Sequence, residues 1–144
     1  MQKDTLFGKI SMDVGKLPIT FIHHKRKFNY HPSTIQSFGI FAEKGYKIYE
    51  TLKSKEGHSI FVEVMVQGKL NLYKYTEKRN LKESIRYRYV YFFGFSKDAL
   101  SIMSSSSYQR ILGEFFRAYP DVLSELKRTT FENVPSLMEY YNAM

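Results

Sequence analysis

The sequence predicts an α+β fold, an N-terminal antiparallel β-sheet or partly open barrel of about six to eight strands with roughly two to four short C-terminal helices packing on it. Three observations predict it. Short β-rich runs, apolar by alternation or throughout, follow one another from residue 5 to residue 95. From Ser96 onward the apolar spacing becomes helical. Tyr and Phe, 12 of each with no Trp, make up 17% of the chain and favour strands. At 144 residues the expectation is one domain over 1–144, β-rich to 95 and helical from 96 to 144.

Leu6 to Val14 (LFGKISMDV) reads as the first strand, and Gly15-Lys16-Leu17-Pro18 breaks it. Ile19–His23 and Lys27–Tyr30 flank the basic tip His24-Lys25-Arg26, the pattern of a hairpin with a charged turn. After the His31-Pro32-Ser33 turn comes a strand over Thr34–Phe41, with Gly39 marking a possible bulge position. Glu43-Lys44-Gly45 is a loop, Tyr46–Lys53 alternates as a half-buried strand, and Ser54–Gly57 is a polar turn.

The central stretch is Ile60–Tyr75, IFVEVMVQGKLNLYKY. Its two β-rich runs are separated by Gln67-Gly68, which predicts a tight hairpin with Gly68 at positive φ. That turn would pair Val64 with Asn71, Val62 with Tyr73 and Ile60 with Tyr75. The first run is apolar on both parities apart from Glu63, as expected of a strand under a covering layer. Thr76–Ser84 is charged and reads as an exposed connection. In Ile85–Phe95, residues 85, 87, 89, 91, 93 and 95 share one parity and are expected to face a core, with Arg86 and Arg88 opposite.

In the last third, Ser96 caps a predicted short helix through Met103, and Ser104–Ser107 is a linker whose last serine caps the next helix. Tyr108, Ile111, Leu112, Phe115, Phe116 and Tyr119 form one helical stripe. Pro120 ends it and opens another helix with Val122, Leu123 and Leu126 apolar. After a break at Thr129–Asn133, Asn133 caps a final helix through Leu137, Met138 and Tyr141.

The chemistry is thinner than the fold. With no cysteine, disulfides, zinc–thiolate sites and thiol nucleophiles are excluded. A net charge of +8 is compatible with an anionic partner, whether nucleic acid, lipid headgroup or acidic glycan, though solubility with a charge bias is the simpler reading. Lys25, Arg26 and Lys27, with Arg86 and Arg88, are the candidate anion-binding residues. No window reaches the ~18 apolar residues of a membrane span, and no charged-then-apolar leader stands at the N-terminus.

His23, His24, His31 and His58 are poor metal candidates, because adjacent strand residues point to opposite faces. The Arg86–Phe95 run lacks the glycine–aromatic order of an RNA-recognition strand. The four serines have no nucleophile-elbow glycines. Glu63 is expected to meet a cross-strand cation such as Lys9 or Arg88, or to lie at an edge. No residue is assigned as catalytic, metal-binding or cofactor-binding, so neither a cofactor nor an enzymatic role is expected.

The order of motifs carries a resemblance. Pro18-Ile19-Thr20-Phe21, then Tyr30-His31-Pro32-Ser33-Thr34-Ile35-Gln36-Ser37-Phe38-Gly39, then Tyr46, the run Phe61–Tyr73, Tyr119-Pro120 and Tyr141-Asn142 together resemble a group of exported cell-envelope proteins of unknown function from Bacteroidetes-type bacteria. No activity or site residue comes with that resemblance. It implies a location: Gln2–Ile10 is similar to the mature start left after a leader is removed, placing the protein in the periplasm or outer envelope, with the cytoplasm as the alternative. The expected function is a non-enzymatic binding or structural domain of the envelope, its partner an envelope protein or an anionic polymer. The alternative is a basic domain that binds nucleic acid or another polyanion.

Overall fold

The computed structural model describes residues 9–11, 19–23, 25–42, 45–53 and 57–144. The rest of the predicted first strand, the Gly15–Pro18 break, His24, Glu43-Lys44 and Ser54–Glu56 lie outside the described residues, as does most of the Gln2–Ile10 segment. The architecture is mostly antiparallel sheet, with three short α-helices at the C-terminus. The chain divides into two compact units, Met1–Val62 and Glu63–Met144, with the boundary inside one strand.

In the first unit, β1 (Lys9–Ser11), β2 (Ile19–His23) and β3 (Arg26–Tyr30) pair in that order. His23 lies opposite Arg26, so the β2–β3 turn is two residues long. Lys25 adopts φ 62°, the left-handed conformation that such a turn demands and that a residue with a Cβ adopts at a cost of about 1–2 kcal/mol. β4 (Ser37–Ala42) and β5 (Gly45–Lys53) form a second hairpin, and β6 (Ser59–Val66) begins with Ile60, Phe61 and Val62 buried.

Gly39 is not a bulge: the β4–β5 register runs unbroken from Ser37 opposite Glu50 to Ala42 opposite Gly45. A Cβ at position 39 would overlap the Tyr46 phenol, which lies across the glycine. The glycine therefore serves the packing of an aromatic neighbour, as in sheets where a ring covers an exposed glycine. Phe38 stacks on Tyr49 at 5.0 Å and meets the edge of Phe61, also at 5.0 Å.

The second unit is built on β7 (Asn71–Leu81), β8 (Ser84–Gly94) and β9 (Ser101–Met103), beside the end of β6. Helices α1 (Tyr108–Phe115), α2 (Pro120–Leu126) and α3 (Val134–Asn142) cover one sheet face, with a 3-10 turn at Phe131–Asn133. The core joins Leu72, Tyr91, Phe93 and Met103 from the strands to Leu112, Phe116, Val122, Leu126, Val134, Leu137 and Met138 from the helices. The α1 stripe is as predicted in Leu112 and Phe116, both fully buried.

Several expectations are corrected here. The central hairpin pairs Val64 with Tyr73 and Glu63 with Lys74, then shifts by one residue so that Val66 meets Leu72. Its connection is Gln67–Leu70 rather than a two-residue turn, and Gly68 is not among the positive-φ residues. The reason lies at the other end of the chain. Leu70 donates its N–H to Asn142 Oδ1 at 2.9 Å and accepts from Asn142 Nδ2 at 2.9 Å, so one side-chain amide satisfies both backbone groups. A Cβ on Gly68 would stand 2.6 Å from that Nδ2. Lys69 Nζ reaches the Met144 carbonyl at 2.9 Å. Close approach of the α3 terminus, not turn conformation, is what requires glycine at 68.

The predicted exposed connection Thr76–Ser84 is instead continuous ladder, from Thr76 opposite Tyr89 to Leu81 opposite Ser84. The predicted helix Ser96–Met103 is a turn followed by β9, because Ile102 and Met103 pair with Phe92 and Tyr91. Met103 is thereby buried with the core while Ile102 stays exposed. The serine cap also differs. Ser107 occupies the N-cap of α1 without capping it, and its hydroxyl instead accepts from the Ser104 N–H at 2.9 Å. Asn133 likewise stands at the α3 N-cap without a side-chain bond to the helix.

Candidate anion-binding surface

Two exposed basic segments match the predicted anion-binding residues, one in each unit. Lys25, Arg26 and Lys27 form the turn and first strand positions of the β2–β3 hairpin, and all three are exposed. Arg86 and Arg88 lie in the second unit, on the outer half of β8. That half is more strongly built than the sequence reading implied.

Each strand of the β7–β8 pair is 11 residues long, and the helices cover only the inner half. Their last hold is Phe131, whose ring stacks on Tyr89 at 5.0 Å. From Ser84 to Arg88 every residue is exposed. From the Glu77–Arg88 pair to the Leu81–Ser84 pair the ribbon therefore extends four residue steps, roughly 14 Å, past the helices. Of the six residues expected to face a core, Tyr89, Tyr91 and Phe93 do so, whereas Ile85 is 57%, Tyr87 58% and Phe95 60% exposed. Ile85 and Tyr87 share the core parity, but the covering layer ends before they are reached, whereas Phe95 lies past the strand's last residue, Gly94, beside Phe115.

Because residues directly opposite share a face, the ladder sorts the ribbon's side chains. One face carries Glu77, Arg79 and Leu81 from β7 and Arg88, Arg86 and Ser84 from β8. The other carries Lys78, Ile85 and Tyr87. Lys82 and Glu83 make the turn. Residues 77–88 hold five Lys or Arg (78, 79, 82, 86, 88) and two Glu (77, 83), a net +3. By contrast, residues 96–144 hold five Lys or Arg and six Asp or Glu, a net −1. Arg79 lies directly opposite Arg86, a like-charge pair that weakens a ladder by some tenths of a kcal/mol. Arg88 is opposite Glu77, which offsets it.

A concavity lies among Glu125, Arg128, Thr129, Asn133, Ser136, Leu137 and Tyr140, a cleft of about 430 Å³. Its polar groups serve the end of α2. Arg128 Nη2 donates to Glu125 Oε1 at 2.7 Å, and Thr129 Oγ1 donates to the Glu125 carbonyl at 2.7 Å. Tyr108 Oη donates to the Thr129 carbonyl at 2.8 Å, and Gln109 Nε2 to that of Leu126 at 2.9 Å. These bonds close a helix terminus. They present no convergent set toward a ligand.

The shifted ionisations among the described residues belong to tyrosines. Burial pushes Tyr91 well above the ordinary phenol range, and the neighbouring Tyr89, Glu132 and Glu63 push the same way. Burial also raises Tyr89, against the lowering effect of its hydrogen bond with Tyr91, and raises Tyr75 with help from Glu77. In Tyr141 the hydrogen bond with Tyr119 is the largest cause and burial the second. All four shifts move phenols away from neutral pH, the wrong direction for proton transfer there. Glu63 stands opposite Lys74, not opposite Lys9 or Arg88.

Sequence reasoning missed Lys78, Arg79 and Lys82 as members of this surface. The turn Lys82-Glu83 contains no Gly, Asn or Pro, so nothing in its residue types announces a hairpin. Thr76–Leu81 (TEKRNL) shows no apolar alternation either, so periodicity carried no signal for the outer half of this strand. No family model, curated protein or solved structure matches the chain.

Proposed function

We propose that the protein is a non-enzymatic binding domain of the cell envelope, and that its outer β7–β8 ribbon is the working surface. The observation that carries the binding role is the ribbon itself: 12 residues, Glu77–Arg88, extended beyond the helical cover with five cations among them. Envelope placement is supported by the similarity of Gln2–Ile10 to the mature start of exported proteins. A ladder of this length fits a contact surface better than a catalytic one, because it presents side chains on two flat faces and encloses no volume in which a reacting group is desolvated. Fractionation of the cells that make the protein tests the placement. Recovery with periplasmic or membrane material supports it, and recovery with cytosolic enzymes alone refutes it.

A second reading is a binder of nucleic acid or another soluble polyanion, favoured by the exposed Lys25, Arg26 and Lys27 in addition to Arg86 and Arg88. Retention on single-stranded nucleic acid that falls by orders of magnitude with added salt is its signature. Retention that is absent at low salt removes it. The partly open barrel is not part of either reading, since both rest on open sheet.

A further inference from the structure

We propose that the outer β7–β8 ribbon is a peripheral membrane contact whose ligand is an anionic phospholipid surface: Arg79, Arg86 and Arg88 take headgroup phosphates while Leu81, Ile85 and Tyr87 enter the interfacial layer. The proposal rests on the envelope placement for where the contact occurs, but not for whether it forms.

Two observations distinguish a lipid surface from other anions, and a third supplies the phosphate contact. First, the exposed apolar groups gather at the end of the ribbon. Leu81 is 51% exposed and flanks the turn on one face, while Ile85 and Tyr87 lie on the other. A soluble polyanion gives nothing back for Leu81 and Ile85, whereas an interface takes aliphatic side chains and the amphipathic ring of tyrosine. Second, between the Glu77–Arg88 pair and the turn the cationic face carries no aromatic: its members there are Glu77, Arg79, Leu81, Ser84, Arg86 and Arg88, and the next residue inward on that face is Tyr75. Single-stranded nucleic acid is held by bases stacking on rings beside the charges, and here Tyr87 points from the opposite face. Third, Arg79 and Arg86 are directly opposed, their Cβ atoms ~5 Å apart by ladder geometry. Two flexible arginine side chains rooted that close can bring both guanidiniums to one phosphate, which turns an unfavourable pair into an anion contact.

The same geometry limits the depth. Among the described residues of this unit, β6 pairs with β7 over Leu72–Lys74 and β9 with β8 over Tyr91–Phe93, and from the Glu77–Arg88 pair outward β7 and β8 pair with each other. Backbone groups on the outer edges of a two-stranded ribbon are not tolerated in hydrocarbon. The ribbon therefore stops at headgroup level, with arginine stems lying along the apolar side chains and guanidiniums at the phosphates.

Co-sedimentation of the full chain with phosphatidylglycerol–phosphatidylcholine vesicles, against phosphatidylcholine alone, tests this. The expected result is binding to the anionic vesicles that weakens with salt and is absent on the neutral ones. At about 1 kcal/mol per basic residue near such a surface, or about fivefold, Arg79→Glu with Arg86→Glu removes four charge units and weakens binding several hundredfold. Leu81→Ser with Ile85→Ser weakens it about tenfold. All four side chains are exposed, so far-ultraviolet dichroism and the unfolding midpoint serve as controls for each variant.

Absence of binding to the anionic vesicles overturns the proposal, as does binding indifferent to the arginines. Arginine-dependent binding that ignores Leu81 and Ile85 overturns it too, by reducing the contact to adsorption. So does a single-stranded oligonucleotide that the arginines hold more tightly than vesicles. None of these outcomes bears on cell fractionation, so failure of the lipid contact and failure of the envelope placement remain distinct.

Discussion

Replacing Asn142 by Ala removes the amide that holds the β6–β7 connection. Leu70 loses a donor and an acceptor partner together, both at 2.9 Å and both in a partly buried place beside a fully buried side chain. A hydrogen bond exchanged for water is worth about 0.5–1.5 kcal/mol net, and a group left without its partner costs about 1–3 kcal/mol. Partial access to water puts Asn142→Ala near the middle of that range, about 2 kcal/mol. For a chain of this length that corresponds to a fall in Tm of roughly 6–10 °C. Gly68→Ala supplies the control on mechanism. Its Cβ would stand 2.6 Å from Asn142 Nδ2, so it must displace the same amide and destabilise by a similar route. In the Asn142→Ala background that obstacle is gone. The double-mutant cycle, read by urea unfolding, should therefore show a coupling of about 1–2 kcal/mol. Additive effects, or an Asn142→Ala change below ~0.5 kcal/mol, would refute the assignment of Gly68 to close approach.

Stability should also decline on the alkaline side. Tyr75, Tyr89, Tyr91 and Tyr141 have folded pKa values raised above the usual 10, so their contribution is complete below about pH 10 and is lost as pH rises past it. Near-ultraviolet titration should show Tyr91 ionising only with unfolding, later than the first phenols to titrate; a single step shared by all tyrosines would contradict this. Phe131→Ala opens a cavity against Tyr89, Tyr91 and Tyr108, whose rings lie 5.0, 4.8 and 5.3 Å away. A loss of about 3–5 kcal/mol is expected by chemical denaturation, and a loss under ~1 kcal/mol would show that the turn is not part of the core. Arg79→Glu replaces a like-charge pair by an opposite one facing Arg86. It should raise stability by some tenths of a kcal/mol while weakening vesicle binding, the mark of a surface kept for contact rather than for folding.

Where the covering layer was uniform, the sequence was legible. Leu112 on α1, Phe116 at its C-cap, and Val122 and Leu126 on α2 followed from spacing alone. What failed were decisions made by distant groups. The register of the central hairpin depends on Asn142, 72 positions from Leu70. Gly39 answers to the ring of Tyr46. Ser96–Met103 has enough apolar character for a helix, yet the edge of β8 captures Ser101–Met103 as a strand. The candidate surface was half visible. Arg86 and Arg88 stood out beside aromatics, whereas Lys78, Arg79 and Lys82 were hidden in what read as a polar loop. Only the ladder from Glu77 to Arg88 makes one ribbon of them.

Amide hydrogen exchange on the full chain, with and without phosphatidylglycerol vesicles, tests most directly the claim that this ribbon is the working surface. Protection gained over residues 77–88, with the α1–α3 core unchanged, is the predicted result. Protection confined to other segments, or exchange unaltered by the vesicles, would contradict it.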